Sequence, residues 1–518
     1  MNVHVASPLL YEGADWDFDK LQRAYDAIER IGIDELGLDL YRNQIEVITA
    51  EQMLDAYAGI GMPVMYKHWS VGKRFAQNEM LYRKGLRGLA LEMVINSNPS
   101  ICYVMEENTM TMQATVLAHA AIGHNHFFKC NDTFRTRTDA DAILDYMAFA
   151  RGFVSQCEER HGVRAVERIL DAAHALGDQG VNRAGRGRPR IAQERDRAAR
   201  RMQEERSAYN DLWRTVPSAR AALPGDLDEQ AARAALGLPE ENLLYFLEKH
   251  APRLKAWERE LLRIVRNVST YFEPQRQTKL MNEGCACWCH YTIMNRLHER
   301  GQINDAAMLE FLHLHSSVIF QPDFSDRRYS GINPYALGFA MMRDIERICI
   351  EPTDEDRDWF PHMAGNGNPV ETLRRAWADF RDESFVRQYL SPQVIRDFHL
   401  FKLDDDGEQP EYTVDAIHNA RGYKRIRKAL ARQYDIAWQS PDIQVVDVNL
   451  IGDRRLILHH RALNRVLLDE NDARHVLQHL ADLWGYDVLM KEVDPDTSSV
   501  MKEHAAAPRP GIVRQEGN

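Results

Sequence analysis

Two carboxylates and three histidines fall within one mostly apolar stretch, MEENTMTMQATVLAHAAIGHNHFFKCN, Met105 to Asn131: Glu106, Glu107, His119, His124 and His126. Its periodicity reads as a largely buried helix from Thr111 to about Gly123. An unpaired buried charge is costly, so ionisable groups at this density need a metal ion or a catalytic network to hold them. A second polar set lies far downstream in MNEGCACWCHYTIMNR, where Glu283 and His290 interrupt another apolar helix, and LHLHSSVIFQP adds His313 and His315. Ligands drawn from distant segments are what a folded active site collects.

Spacing limits what each pair can do. His119 and His124 are five residues apart, about 140° around an ideal helix, so they would not face one ion. Gly123 marks a place where the helix ends or distorts, which would swing His124 back toward His119. No glutamate follows His119, so this is not a HExxH motif. Glu283 and His290 share a helix face but are separated by about 10 Å of rise, which suits opposite ends of an elongated site. Asn282 reads as an N-cap just before Glu283. Adjacent Glu106 and Glu107 diverge on any regular element, so at most one enters the site. Asp171 and His174, at i and i+3, share a face and can pair or ligate together. Cys285, Cys287 and Cys289 alternate along a helix and cannot converge on one metal.

The expected fold is mostly α, a large helical domain with a small C-terminal α+β module. Helical patterns cover Asp17–Ile31, the Thr49-capped segment up to Gly59, Asn78–Asn96, Asp139–His161 and Gly162–Leu176. Residues 1–180 therefore read as the first helical half, a compact bundle, and 207–430 as the second. Between them, 181–206 is Gly- and Arg-rich with few large apolar residues, and reads as an exposed insertion. Later helices are expected over Pro239–Val268, Asn282–Arg300, Asn304–His315, Tyr335–Ile350, Glu371–Asp382 and Ser391–Phe398. Arg343, Asp344 and Arg347 would form an ion-pair network, with Tyr335 a donor near the helix start. In the 435–495 module, IQVVDVNL and RRLILHH pair as a hairpin across Gly452-Asp453, followed by a helix from Asn471 and a strand from Tyr486. The tail, 496–518, lacks periodicity and reads as disordered.

The net charge of −12 over 518 residues argues against general nucleic-acid binding. No apolar run is long enough to span a membrane, and the start of the chain lacks a signal-peptide pattern. Seven cysteines, three of them crowded together, suit a reducing cytoplasm rather than a disulfide framework.

Several ordered motifs resemble the SpoVR family: NQIEVITAEQMLDAYAGIGMPVMYKHWSVGKRF, MEENTMTMQA, HAAIGHN, NEG with HYTI, SGINPYALGFAMMRDIERI and DESFVRQYLSPQVIRDF. The resemblance runs over nearly the whole chain. Glu283, Gly284 and His290 match its pattern, and His315 rather than His313 is the matching position. His126 stands where the family has serine, and Cys285 and Cys289 where it has aromatics. The resemblance implies a role in spore-cortex formation or stress response, and a serine/threonine kinase and a von Willebrand-type domain protein as partners. Residues and resemblance together suggest a metal-dependent hydrolase of an amide or ester. His119, His124, Glu283, His290 and His315 would hold a divalent zinc, iron or manganese ion, and Glu107 and Glu283 would act as catalytic carboxylates. The alternative is a non-catalytic regulatory scaffold for those partners.

Overall fold

The structure, a computed structural model, describes residues 8–59, 62, 65–83, 92–182, 236–404, 413–416, 418–450 and 452–509. It is mostly helical and divides into two units. The first comprises Met1–Pro63, Trp69–Asp141 and Pro274–Asp435; the second comprises Val64–His68, Ala142–Glu273 and Ile436–Asn518. This differs from the expected pairing of 1–180 with 207–430, because the helices after Ala142 group with the C-terminal strands. Residues 183–235, and with them nearly all of the Arg-rich insertion, lie outside the described residues.

The first unit is not a pure bundle. It carries a three-stranded sheet in the order β1-β3-β2, from β1 Asn43–Ile48, β2 Glu92–Ile95 and β3 Ser100–Met105, and a two-stranded antiparallel pair, β4 Lys402–Asp404 and β5 Thr413–Ala416. Strand β1 runs parallel and β2 antiparallel to β3. The helix expected over Asn78–Asn96 is instead a helix at Trp69–Arg83 and then β2. Its EMVI ending is too short an apolar run to separate strand from helix by periodicity. Local signals elsewhere act as expected: Thr49 and Gln52 form a reciprocal capping box, and Thr109 caps the helix Met110–Val116 by accepting from Met112 N.

At the centre of this unit lies the helix Lys279–Glu299, buried along most of its length. Glycines set its close neighbours. A Cβ on Gly123 would lie 2.5 Å from Ala286 Cα, and one on Gly284 would lie 2.7 Å from the backbone of Gly338. Its head is held by Asp382, whose carboxylate accepts from Leu280 N (2.8 Å) and Met281 N (2.9 Å). The helix thus begins at Lys279, and Asn282 is not its N-cap but lies one turn in. In the helix Pro334–Ile350, Arg347 ties Asp344 (2.7 Å) to Asp356 (2.6 Å), whereas Arg343, expected in the same network, pairs with Glu346 one turn on.

In the second unit, helices Ile143–His161 and Val163–Ala175 pack together, and Val163–Ala175 also meets Glu470–Trp484. A four-stranded sheet has the order β6-β7-β8-β9, from β6 Asp442–Val448, β7 Leu456–Arg461, β8 Val488–Val493 and β9 Val500–Ala506. The β6–β7 hairpin forms with Val445 opposite Leu458. The tail expected to be disordered from 496 supplies β9. Its VMKEHAA sequence, mixed in polarity, becomes a strand through its ladder to β8 and its contact with the helix Glu470–Trp484. Glu492 of β8 is fully buried and accepts from His460 Nδ1 (2.9 Å), His504 Nε2 (2.7 Å) and Leu468 N (2.9 Å).

Candidate metal centre

The histidine-bearing helix does not stop at Gly123. It passes from α-helix at Met110–Val116 into a π-helical stretch, Leu117–His124, and back to α-helix at Asn125–Cys130. A π turn closes on the fifth residue instead of the fourth, so residues five apart come to one side. His119 and His124 therefore face each other, ring centres 4.7 Å apart and nearly perpendicular. The widened turn removes the 140° problem that spacing posed.

Glu283 meets both histidines from the central helix. Its Oε2 is 3.5 Å from His124 Nε2 and 3.8 Å from His119 Nε2, and Glu92 Oε1 from β2 lies 3.8 Å from His119 Nε2. These separations are too long for hydrogen bonds. His119 Nε2 and Glu283 Oε2 are buried without a hydrogen-bond partner. A buried polar atom left bare costs roughly 1–3 kcal/mol, so a pair of them facing one another marks space for a shared partner. Ligand atoms of His119, His124 and Glu283 lie within 4.8 Å of one another. With metal–ligand bonds of about 2.0–2.2 Å, a tetrahedral ion spaces its ligands by about 3.3–3.6 Å. The group therefore fits a divalent cation with little adjustment.

The surroundings orient the rings. His124 Nδ1 donates to Asn282 Oδ1 at 2.9 Å, which leaves Nε2 as the lone-pair nitrogen toward Glu283. His119 Nδ1 lies 2.9 Å from His290 Nδ1, and His290 Nε2 lies 2.7 Å from His315 Nδ1. His290 and His315 thus stand behind His119 in a row rather than around the same point as His124 and Glu283. A second grouping, His119, Cys287 and His290, also brings ligand atoms within 4.8 Å. Both ring nitrogens of His290 already face histidines, so the His119–His124–Glu283 group is the better site.

Charge follows the same geometry. Burial would raise the Glu283 carboxyl, but His119 and His124 outweigh it and hold it below its ordinary value. Burial pushes Glu92 up, against the pull of His119. Burial lowers His119 as well, yet Glu283 and Glu92 reverse the sign and raise it. Burial takes His124 and His315 down to about 4, and His290 well below its ordinary value. His119 is thus shifted toward its protonated form beside Glu283, and the rings of His124, His290 and His315 toward their neutral forms.

Comparison with known proteins bears on the whole chain. A family profile described as SpoVR like protein matches residues 15–439, and one described as SpoVR-like C-terminal domain matches 441–495. The chain belongs to the SpoVR family. The uncharacterized protein YcgB of Escherichia coli (strain K12) is 50% identical over 504 residues, 97% of each chain. No solved structure matches.

In this SpoVR protein, the sequence-derived candidates separate into three groups. His119, His124, Glu283, His290 and His315 come together, all within the first unit. His313 is exposed, and His126 takes the Asp39 backbone N–H at its Nδ1 instead. Glu107, the expected catalytic carboxylate, is exposed with Glu106 in the turn after β3 and is not among the groups facing the cluster. Asp171 and His174 lie in the second unit, where Asp171 Oδ1 meets His68 Nε2 (3.1 Å) and His174 Nε2 meets Tyr66 OH (2.6 Å). Glu92 carries no signal in the sequence because its segment reads as helix; as the first residue of a short edge strand packed on the π-helical stretch it would have stood out. Helical spacing excludes the three cysteines as a joint ligand set, although Cys287 taken singly approaches His119 and His290. No helix among the described residues is long and apolar enough to cross a membrane.

Proposed function

We propose that this SpoVR protein is a metal-dependent hydrolase, with an ion held by His119, His124 and Glu283. The observation that carries the reading is the facing pair of bare buried atoms, His119 Nε2 and Glu283 Oε2, with His124 Nε2 beside them. Two imidazoles and a carboxylate suit zinc, iron or manganese. An ion bound there would supply Lewis acidity toward a carbonyl and lower the pKa of a water. Asn282 fixes the ring of His124, and the row of His290 and His315 fixes that of His119. Glu92, beside His119 and held toward its protonated form by burial, takes the acid–base role that the sequence suggested for Glu107. An amide or ester is the substrate class that this equipment serves.

Elemental analysis of protein purified without added metal tests the proposal, alongside His119→Ala and Cys287→Ala. The expected result is about one transition metal per chain in the wild type, its loss in His119→Ala and its retention in Cys287→Ala. Loss in Cys287→Ala would move the ion to the His119–Cys287–His290 group. Iron in place of zinc would shift the chemistry toward oxidation, since the same ligand set serves non-haem iron. Metal-free protein would favour the regulatory scaffold working with a serine/threonine kinase and a von Willebrand-type partner.

A further inference from the structure

Away from the histidines, in the same unit, lies a cleft of about 780 Å³. It is lined by Asp358 and Trp359 at the end of the helix Asp354–Trp359, by Arg387 of the helix Asp382–Tyr389, and by Lys424, Arg427 and Lys428 of the helix Ala420–Gln433. Four cations therefore face one acid, in a chain whose net charge is −12. Among the described residues, Arg387 alone of the four has a carboxylate partner, Glu383.

The other three cations form no ion pair among the described residues, and the one acid in the lining is Asp358. Arg427 directs its guanidinium at the carbonyl oxygen of Leu390 and lies over the Trp359 ring, 4.5 Å from its centre. Burial pulls its pKa down to about 10, which leaves it charged at neutral pH. Lys424 and Lys428 are exposed and form no ion pair among the described residues. Positions 424, 427 and 428 lie at i, i+3 and i+4, so the three charges share one helix face and repel one another. A solvated lysine face would not need a concave wall, an aromatic floor and a desolvated arginine. Cations gathered in a cleft focus a positive potential and draw in an anion. Volumes of roughly 300–1,000 Å³ are those of small-molecule sites, so a small ligand suits the cleft better than a polymer.

We propose that this cleft binds a soluble small molecule bearing at least two phosphate charges, recognised by Lys424, Arg427 and Lys428 above Trp359. The anion would bridge the helix Ala420–Gln433 to Arg387 and relieve the repulsion along that helix face. The site stands apart from the metal proposal and does not depend on it.

Calorimetric titration of the full-length protein with inorganic pyrophosphate, and then with ADP, tests it. One pyrophosphate per chain is expected. The Lys424→Glu/Lys428→Glu variant should raise Kd by about tenfold or more, whereas Arg30→Glu, an exposed charge reversal elsewhere, should stay within about twofold. Lys424→Gln/Lys428→Gln, which adds no acid, should weaken binding in the same direction and covers the case in which reversed charges loosen the helix. Absence of pyrophosphate binding, undiminished binding by both double variants, or an equal loss in Arg30→Glu would overturn the proposal. Binding to phosphatidic acid vesicles without binding to pyrophosphate would overturn it too, since the ligand would then be a membrane surface.

Discussion

Gly123→Ala is a one-carbon test of the whole site. The new Cβ would stand 2.5 Å from Ala286 Cα and 3.0 Å from its Cβ, where ordinary contact begins at 3.4 Å. Neither atom belongs to a flexible side chain, so the histidine helix and the central helix must separate by about 0.9 Å. His119 and His124 ride on one of these helices and Glu283 on the other. Separations now 3.5 and 3.8 Å would open to about 4.4–4.7 Å. A tetrahedral ion at the centre would then need bonds of about 2.8 Å, well beyond the usual 2.0–2.2 Å. Pulling the helices back together instead costs roughly 1–3 kcal/mol of overpacking. The cost appears in one place or the other. Melting is expected to fall by about 2–12 °C, given about 2–4 °C per kcal/mol for a large domain. Metal affinity in a chelator competition should fall by about tenfold or more. A Gly123→Ala protein with wild-type melting and wild-type metal content would refute the claim that this close approach sets the site.

Three further outcomes are expected. Asn282→Ala removes the acceptor that orients His124, and chelator competition should show about 10–100-fold weaker metal binding with little change in fold. Asp382→Ala strips the head of the central helix of its acceptor for two backbone N–H groups, so denaturant unfolding should show a loss of roughly 1–3 kcal/mol, with Asp382→Asn between the two. Glu492 is held below its ordinary value near 4.5, burial opposing and His504, Leu468 N and His460 lowering. A depressed carboxyl contributes stability fully above the unfolded value and loses it as pH falls through the folded one. Wild type minus Glu492→Gln stability, followed by circular dichroism melts from pH 7 downward, should therefore be constant above about pH 5 and shrink below it; a difference that grows on acidification would contradict the assignment.

The clustering of these side chains was legible in the sequence because burial and ionisation conflict visibly. Histidines and a glutamate inside apolar helices have few explanations, and His119, His124, Glu283, His290 and His315 do meet. What spacing alone could not supply was the π turn, since an α-helical wheel sends His124 away from His119. Glu107 looked catalytic because it neighbours the helix in sequence, but a turn after a strand places it in solvent. Most of the helices, and the β6–β7 hairpin, were readable from local periodicity and caps, but not the Asn78–Asn96 segment or the start of the central helix. The three-stranded sheet and β9 were not, because short strands with mixed polarity acquire their identity from partners far along the chain. The division into units was hidden for the same reason: it depends on which surfaces meet, not on where composition changes.

The row His119–His290–His315 has a consequence for information rather than binding. Each neutral imidazole carries one hydrogen, and each of the two shared contacts needs one donor and one acceptor. When all three rings are neutral, only two arrangements satisfy both contacts, and each is the mirror of the other. If His119 keeps a lone pair on Nε2, its Nδ1 donates to His290, His290 donates from Nε2 to His315, and His315 must hold its hydrogen on Nε2. Turning any one ring's tautomer turns all three. While all three rings are neutral they therefore behave as a single binary element, and the tautomer of His119 can be read at the far nitrogen of His315 by ¹⁵N chemical shifts without any helix having moved.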